Sequence, residues 1–206
     1  EGDNFSGADI TLASLDTGNG ALVYHGGLTG SLTVQGDASI GQSGVSTLGE
    51  GLHGTGIKGW GDLHVMGNAT VSGNVSDLGN ATVAIDGNVS IDGEANVSGN
   101  IAVDGNLSFV GDATLVGMID TGGDQNYADN VTLAGDTDFA GNKATFTSGV
   151  LGGGNDLTIN FTQTTTLNGF VNVSNFTSLG AVDLNGTFAT TGDQNYADNV
   201  TLTGDT

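Results

Sequence analysis

Arginine, cysteine and proline are all absent from this 206-residue chain, and Lys58 and Lys143 are its only basic residues apart from three histidines. Each absence excludes something. Without cysteine there is no disulfide framework and no thiolate metal cluster. With 23 acidic residues against two lysines, the formal charge is −21. Such a surface repels phosphates, which excludes nucleic-acid binding, and anionic membranes repel it in turn. No apolar run approaches the roughly 18 residues that a membrane helix needs, so no direct membrane insertion is expected. Aromatic residues are also few: eight Phe, three Tyr and one Trp, too sparse to mark out a sugar-binding face.

What the chain has instead is glycine, 38 residues of it, at spacings that helices would not tolerate. From Gly87 to Gly117 the sequence reads GNVSID-GEANVS-GNIAVD-GNLSFV-GDATLV-G, with glycine every sixth residue. In each hexad the second residue is Asn, Asp or Glu, and the third and fifth are apolar, as in Val89/Ile91 and Leu107/Phe109. Side chains two apart on a strand point the same way, so each hexad is a short strand with one buried face. Gly followed by Asn or Asp supplies the corner. Strand and corner alternating, with no room for a hairpin return, predict an all-β fold: a parallel β-helix or β-solenoid, right-handed by expectation, of about 9–11 coils. Three six-residue sides make an 18-residue coil, which predicts Asn88 under Asn106, Glu94 under Asp112 and Val89 under Leu107. Stacked asparagines are expected to bond amide to amide up the corner. The same period runs through Gly61, Gly67, Gly73 and Gly79 and then slips by two residues to Gly87, which predicts a bulge at Ala84–Asp86.

The chain divides into three stretches of one continuous solenoid. Residues 1–60 predict irregular coils, with a glycine-rich loop at 49–61 that holds His53, Lys58 and Trp60 and is the candidate contact loop for a carbohydrate or protein. Residues 61–117 are the regular hexads. Residues 118–206 carry a longer repeat: GDQNYADNVTL occurs at Gly123–Leu133 and again at Gly192–Leu202, 69 residues on. Coils near 23 residues would make that offset three turns and stack the two copies on one face. The chain stops inside the second copy, so the expectation is a segment of a longer array.

This unit, together with the GNVS and GNAT hexads upstream, resembles repeats of very large secreted bacterial adhesins of the filamentous-haemagglutinin type. The resemblance covers roughly residues 61–206. It implies a right-handed β-helix at the cell surface, although neither a signal peptide at Glu1 nor the family's amino-terminal secretion domain is visible. The hexads alone also resemble bactofilins, which are cytoplasmic polymer-forming β-helices, but the 69-residue repeat and the acidic, Thr-rich coils do not fit them.

Chemistry is sparse. The carboxylates Asp136 and Asp138 face the same way on a strand, and with Asn155 and Asp156 they are the candidate ligands for Ca²⁺, a cation that takes oxygen donors; no other cofactor is implied. His25, His53 and His64 follow no ligand spacing. Thirteen Asn-x-Ser/Thr triplets, among them Asn88, Asn106, Asn130 and Asn172, follow from the repeat itself. Without arginine, and with both lysines away from any acidic cluster, catalysis is not expected. The function expected is a non-catalytic extracellular solenoid that extends, tethers or polymerises, self-associating end to end or laterally. A carbohydrate- or receptor-binding module is the alternative class, ahead of a polysaccharide-degrading enzyme. At about 4.8 Å per coil the chain would span roughly 45–55 Å.

Overall fold

The computed structural model describes residues 88–204 in full, except for 92, 93 and 98, and the main-chain pairing of eleven strands between Asn4 and Ile85. All regular structure among the described residues is β, and every pairing is parallel. The chain winds as a three-sided β-solenoid. The first face stacks Val89–Ile91, Leu107–Phe109, Asp124–Tyr127, Lys143–Phe146, Thr165–Leu167, Val182–Leu184 and Val200–Leu202. These seven strands mark six full turns. With the pairings ahead of residue 88 included, the same sheet holds ten strands among the described residues.

The second face begins at Ala95–Val97 and the third at Asn100–Val103. Two long strands, Ala113–Thr121 and Val131–Gly141, run across the corner between these faces and join them into one sheet. Alternation within each short strand explains the packing. Val89, Ile91, Leu107 and Phe109 are buried, while Ser90 and Ser108 between them are only half-buried. Val89 pairs with Leu107 and Ala95 with Ala113, as the 18-residue coil requires.

Two expectations are corrected by the register. The two-residue slip does not lie at Ala84–Asp86. Ala84 pairs in order with His64 below and Ala102 above, so the extra pair falls between Asp77 and Thr82, which stand opposite Val97 and Asn100. The apolar residues decide it, because Val83 and Ile85 keep the columns of Ile101 and Val103.

Nor do the coils of the second half reach 23 residues. On the first face successive partners are 18, 18, 19, 21, 17 and 18 residues apart, from Val89↔Leu107 to Val182↔Val200. Extra residues enter singly or in pairs at corners, as between Leu133 and Thr137, which oppose Leu115 and Gly117. The 69-residue offset is therefore three turns and two further faces. Gln125 lies on the first face beside Leu107, whereas Gln194 lies on the third beside Phe176. The two copies do not stack.

Aromatic rings fill the middle coils. Tyr127 stacks on Phe109 at 5.5 Å and on Phe146 at 4.6 Å, with Phe139 edge-on to both Tyr127 and Phe146. A second group joins Phe170 to Phe176 and Phe188, and Phe176 to Tyr196.

Candidate functional site

The corners carry the polar chemistry. A coil that ends in Gly-Asn or Gly-Asp leaves a main-chain N–H at the start of the next strand, and the Asn or Asp one coil below accepts it. Asn106 N–H donates to Asn88 Oδ1 at 2.8 Å, Asp124 N–H to Asn106 Oδ1 at 2.8 Å, and Asn142 Nδ2 to Asp124 Oδ1 at 2.7 Å. These rungs differ from the expected amide-to-amide ladder, because the donor is more often the backbone. Asn185 Nδ2 to Asn168 Oδ1, at 3.1 Å, and Gln163 Nε2 to Asn142 Oδ1, at 3.0 Å, each join two side-chain amides. Side chain to backbone is the more favourable match, since it satisfies an N–H that the strand ladder does not reach.

The candidate calcium ligands belong to such a ladder. Asp136 Oδ1 accepts Asp156 N–H at 2.9 Å, Asp156 Oδ1 accepts Asn175 N–H at 2.9 Å, and Asn175 Oδ1 accepts Asp193 N–H at 3.0 Å. Asp138 is exposed two residues along the strand from Asp136. Asn155 turns away from Asp156, donating its Nδ2 to the carbonyls of Leu133 and Gly152. The geometry thus places Asp136 and Asp156 on neighbouring rungs. Among the described residues, no group of three or more His, Asp or Glu side chains is placed to share an ion. The loop 49–61, with His53, Lys58 and Trp60, lies outside the described residues.

The Ser174 hydroxyl, with the main-chain and side-chain amides of Asn175, holds the Asp156 carboxyl below its ordinary value. A depressed carboxyl stabilises the fold above its unfolded value and loses that contribution as the pH falls through the folded one. The Asp156 titration followed by carboxyl NMR is therefore expected below that of an unstructured aspartate, and Ser174→Ala should raise it. A midpoint at or above the unstructured value would contradict the rung.

A second polar group lies inside the core, where sequence reading did not place one. Gln125 is 1 % exposed and Tyr127 wholly buried. Gln125 Nε2 donates to Ala140 O on the next coil at 2.7 Å, and more weakly to Thr121 Oγ1 and Ile119 O at 3.2 and 3.3 Å. Tyr127 OH donates to Gln125 Oε1 at 2.7 Å, and Thr121 Oγ1 to Gly123 O at 2.9 Å. Burial raises the Tyr127 phenol well above its ordinary value, so it stays a neutral donor. The signal was present in the arithmetic: Gln125 and Tyr127 are one 18-residue coil beyond Leu107 and Phe109.

Outside, one groove among the described residues, about 460 Å³, is lined by polar and small residues that include Asp120, Asn142, Asn160 and Thr162, with no aromatic among them. A smaller one of about 160 Å³ runs beside Leu151 and Val171.

Three columns of short parallel strands, cornered by Asn and Asp rungs, define a β-solenoid repeat protein. No protein-family model matches the chain, and no curated protein or solved structure matches it either.

Proposed function

We propose that this chain is a non-catalytic structural segment of an extracellular or cell-surface solenoid, of the kind found in filamentous-haemagglutinin-type adhesins, which extends, tethers or polymerises. The observation that carries the reading is the continuous core. Inward columns such as Ile91–Phe109–Tyr127–Phe146–Leu167–Leu184 run along the axis without a break. Each coil adds a ring of main-chain hydrogen bonds and buries several apolar side chains, each worth about 1.5–3 kcal/mol. Length therefore grows with residue count while every coil contacts only its neighbours. The acidic exterior keeps such a rod soluble and apart from anionic surfaces. The aromatic-free polar groove lends the glycan-binding alternative no support.

Electron microscopy with and without a calcium chelator tests the proposal. Rods joined into filaments with an axial repeat near 4.8 Å are the expected result. Filaments that fall apart in chelator would assign Ca²⁺ to the joints between molecules. Compact particles that neither elongate nor associate at any protein concentration would sink the structural reading.

A further inference from the structure

Short strands with interchangeable apolar residues leave register weakly specified. Inward residues lie two apart, so a strand displaced by two residues against its neighbour keeps its buried face buried. It merely lengthens one corner and shortens the next. Val89 and Ile91 against Leu107 and Phe109 would pack almost as well after such a slip. Something else has to distinguish the correct stack from its neighbours.

We propose that Thr121, Gln125 and Tyr127 form a register lock. Gln125 occupies an inward position between Leu107 and Ala144 on its face, where a primary amide is tolerated only if its bonds are made. Its shortest bond, to Ala140 O at 2.7 Å, reaches the adjoining coil, while the bonds to Ile119, Thr121 and Tyr127 are made within its own. A two-residue slip moves neighbouring backbone by about 6.5 Å. Ala140 O would leave, and Gln125 would remain buried with donors unmet. Slipped stacks are thus penalised in a way that a leucine in the same place would not penalise them.

The second copy repeats the part of the network that is made within the unit. Thr190 Oγ1 donates to Gly192 O at 2.9 Å, Gln194 Nε2 to Phe188 O and Thr190 Oγ1 at 3.3 and 3.4 Å, and Tyr196 OH to Gln194 Oε1 at 2.8 Å. These match four of the first copy's five bonds; the fifth, from Gln125 Nε2 to Ala140 O, has no counterpart among the described residues of the second copy. Yet the strand lies on the third face, against Phe176 and Ser178 rather than Leu107 and Phe109. The bonds within the unit therefore come with its sequence and not with its surroundings, and the bond to Ala140 O is the part that reads the adjoining coil.

The natural absence of cysteine makes the test direct. Ser108 and Asn126 are outward partners in the native register, so the double variant Ser108→Cys/Asn126→Cys reports the correct stack by disulfide formation. Ser108→Cys/Asp124→Cys reports a stack displaced by two. In the otherwise unchanged chain the native pair should oxidise at least about tenfold more completely than the displaced pair, the discrimination that an unmet buried amide supplies. Adding Gln125→Met, apolar and similar in length, should bring the two yields within about threefold, with far-ultraviolet circular dichroism unchanged. Tyr127→Phe removes only the hydroxyl; it should give an intermediate ratio, and it decides the matter if Gln125→Met does not fold. Retention of the full native preference in every variant that folds would overturn the proposal and assign register to the aromatic stack. Equal yields in the parent chain would overturn it too.

Discussion

Tyr127→Ala is expected to lower stability by about 3–5 kcal/mol, the largest loss of any single substitution in these coils. Tyr127 is wholly buried, stacks against rings on the coils to either side and meets a third edge-on. Truncation opens a cavity that spans three coils, because Phe109 and Phe146 belong to the strands below and above. Gln125 Oε1 would also lose its donor. In a fold where each coil leans only on its neighbours, such damage stays local and uncouples the two sides. Urea unfolding should therefore split into two transitions, with hydrogen-exchange protection falling first in the strands on either side of Tyr127. Val110→Ala, at a side chain 49 % exposed, should shift the midpoint by less than about 0.5 kcal/mol. Equal effects from the two substitutions would refute this account of the core.

The second large effect is at a glycine. A Cβ built on Gly152 would lie 2.5 Å from Val173 Cα and 2.6 Å from both Asn172 O and Val173 Cγ2. Two of those atoms are backbone and cannot swing aside, so Gly152→Ala should cost about 1–3 kcal/mol or more through overpacking. Gly154, two residues on, has open space around it but a φ of +86°. Gly154→Ala should cost about 1–2 kcal/mol, from left-handed backbone strain alone. The causes separate on replacement by asparagine, which tolerates that conformation. Thermal unfolding should show Gly154→Asn nearly neutral and Gly152→Asn worse than Gly152→Ala. The reverse order would mean that the crowding at Val173 relaxes.

The regular coils were legible because their period and their chemistry agree. Gly87 to Gly117 fixes both the corner and the inward pair, and Val89↔Leu107 follows by counting. Reading stopped short at Asp124–Tyr127, where Gln125 takes the place of an apolar residue. By residue type DQNY looks like a polar turn, and only the 18-residue count puts two of its side chains inside. The copies of the 69-residue unit misled for another reason. Identical sequence suggested identical position, but corners such as Leu133–Thr137 absorb extra residues that leave the strands unaltered. Sequence specifies which side chain faces inward more tightly than it specifies how long each corner is. The corner rungs were foreseen as stacked Asn and Asp; their donors were not, since an N–H at a strand start leaves no mark on the residue sequence.

The offset of three turns and two faces bears on how the molecule can be gripped. Asn126, Asp129 and Asn130 of the first copy are exposed, and so are Asn195, Asp198 and Asn199 of the second. The two matching patches look out in directions a third of a turn apart. A flat surface laid along one side of the rod can touch one patch and not the other. Anything that engages both has to reach around the axis, and a set of neighbouring molecules that recognised this patch would be drawn into an open mesh, not a parallel bundle.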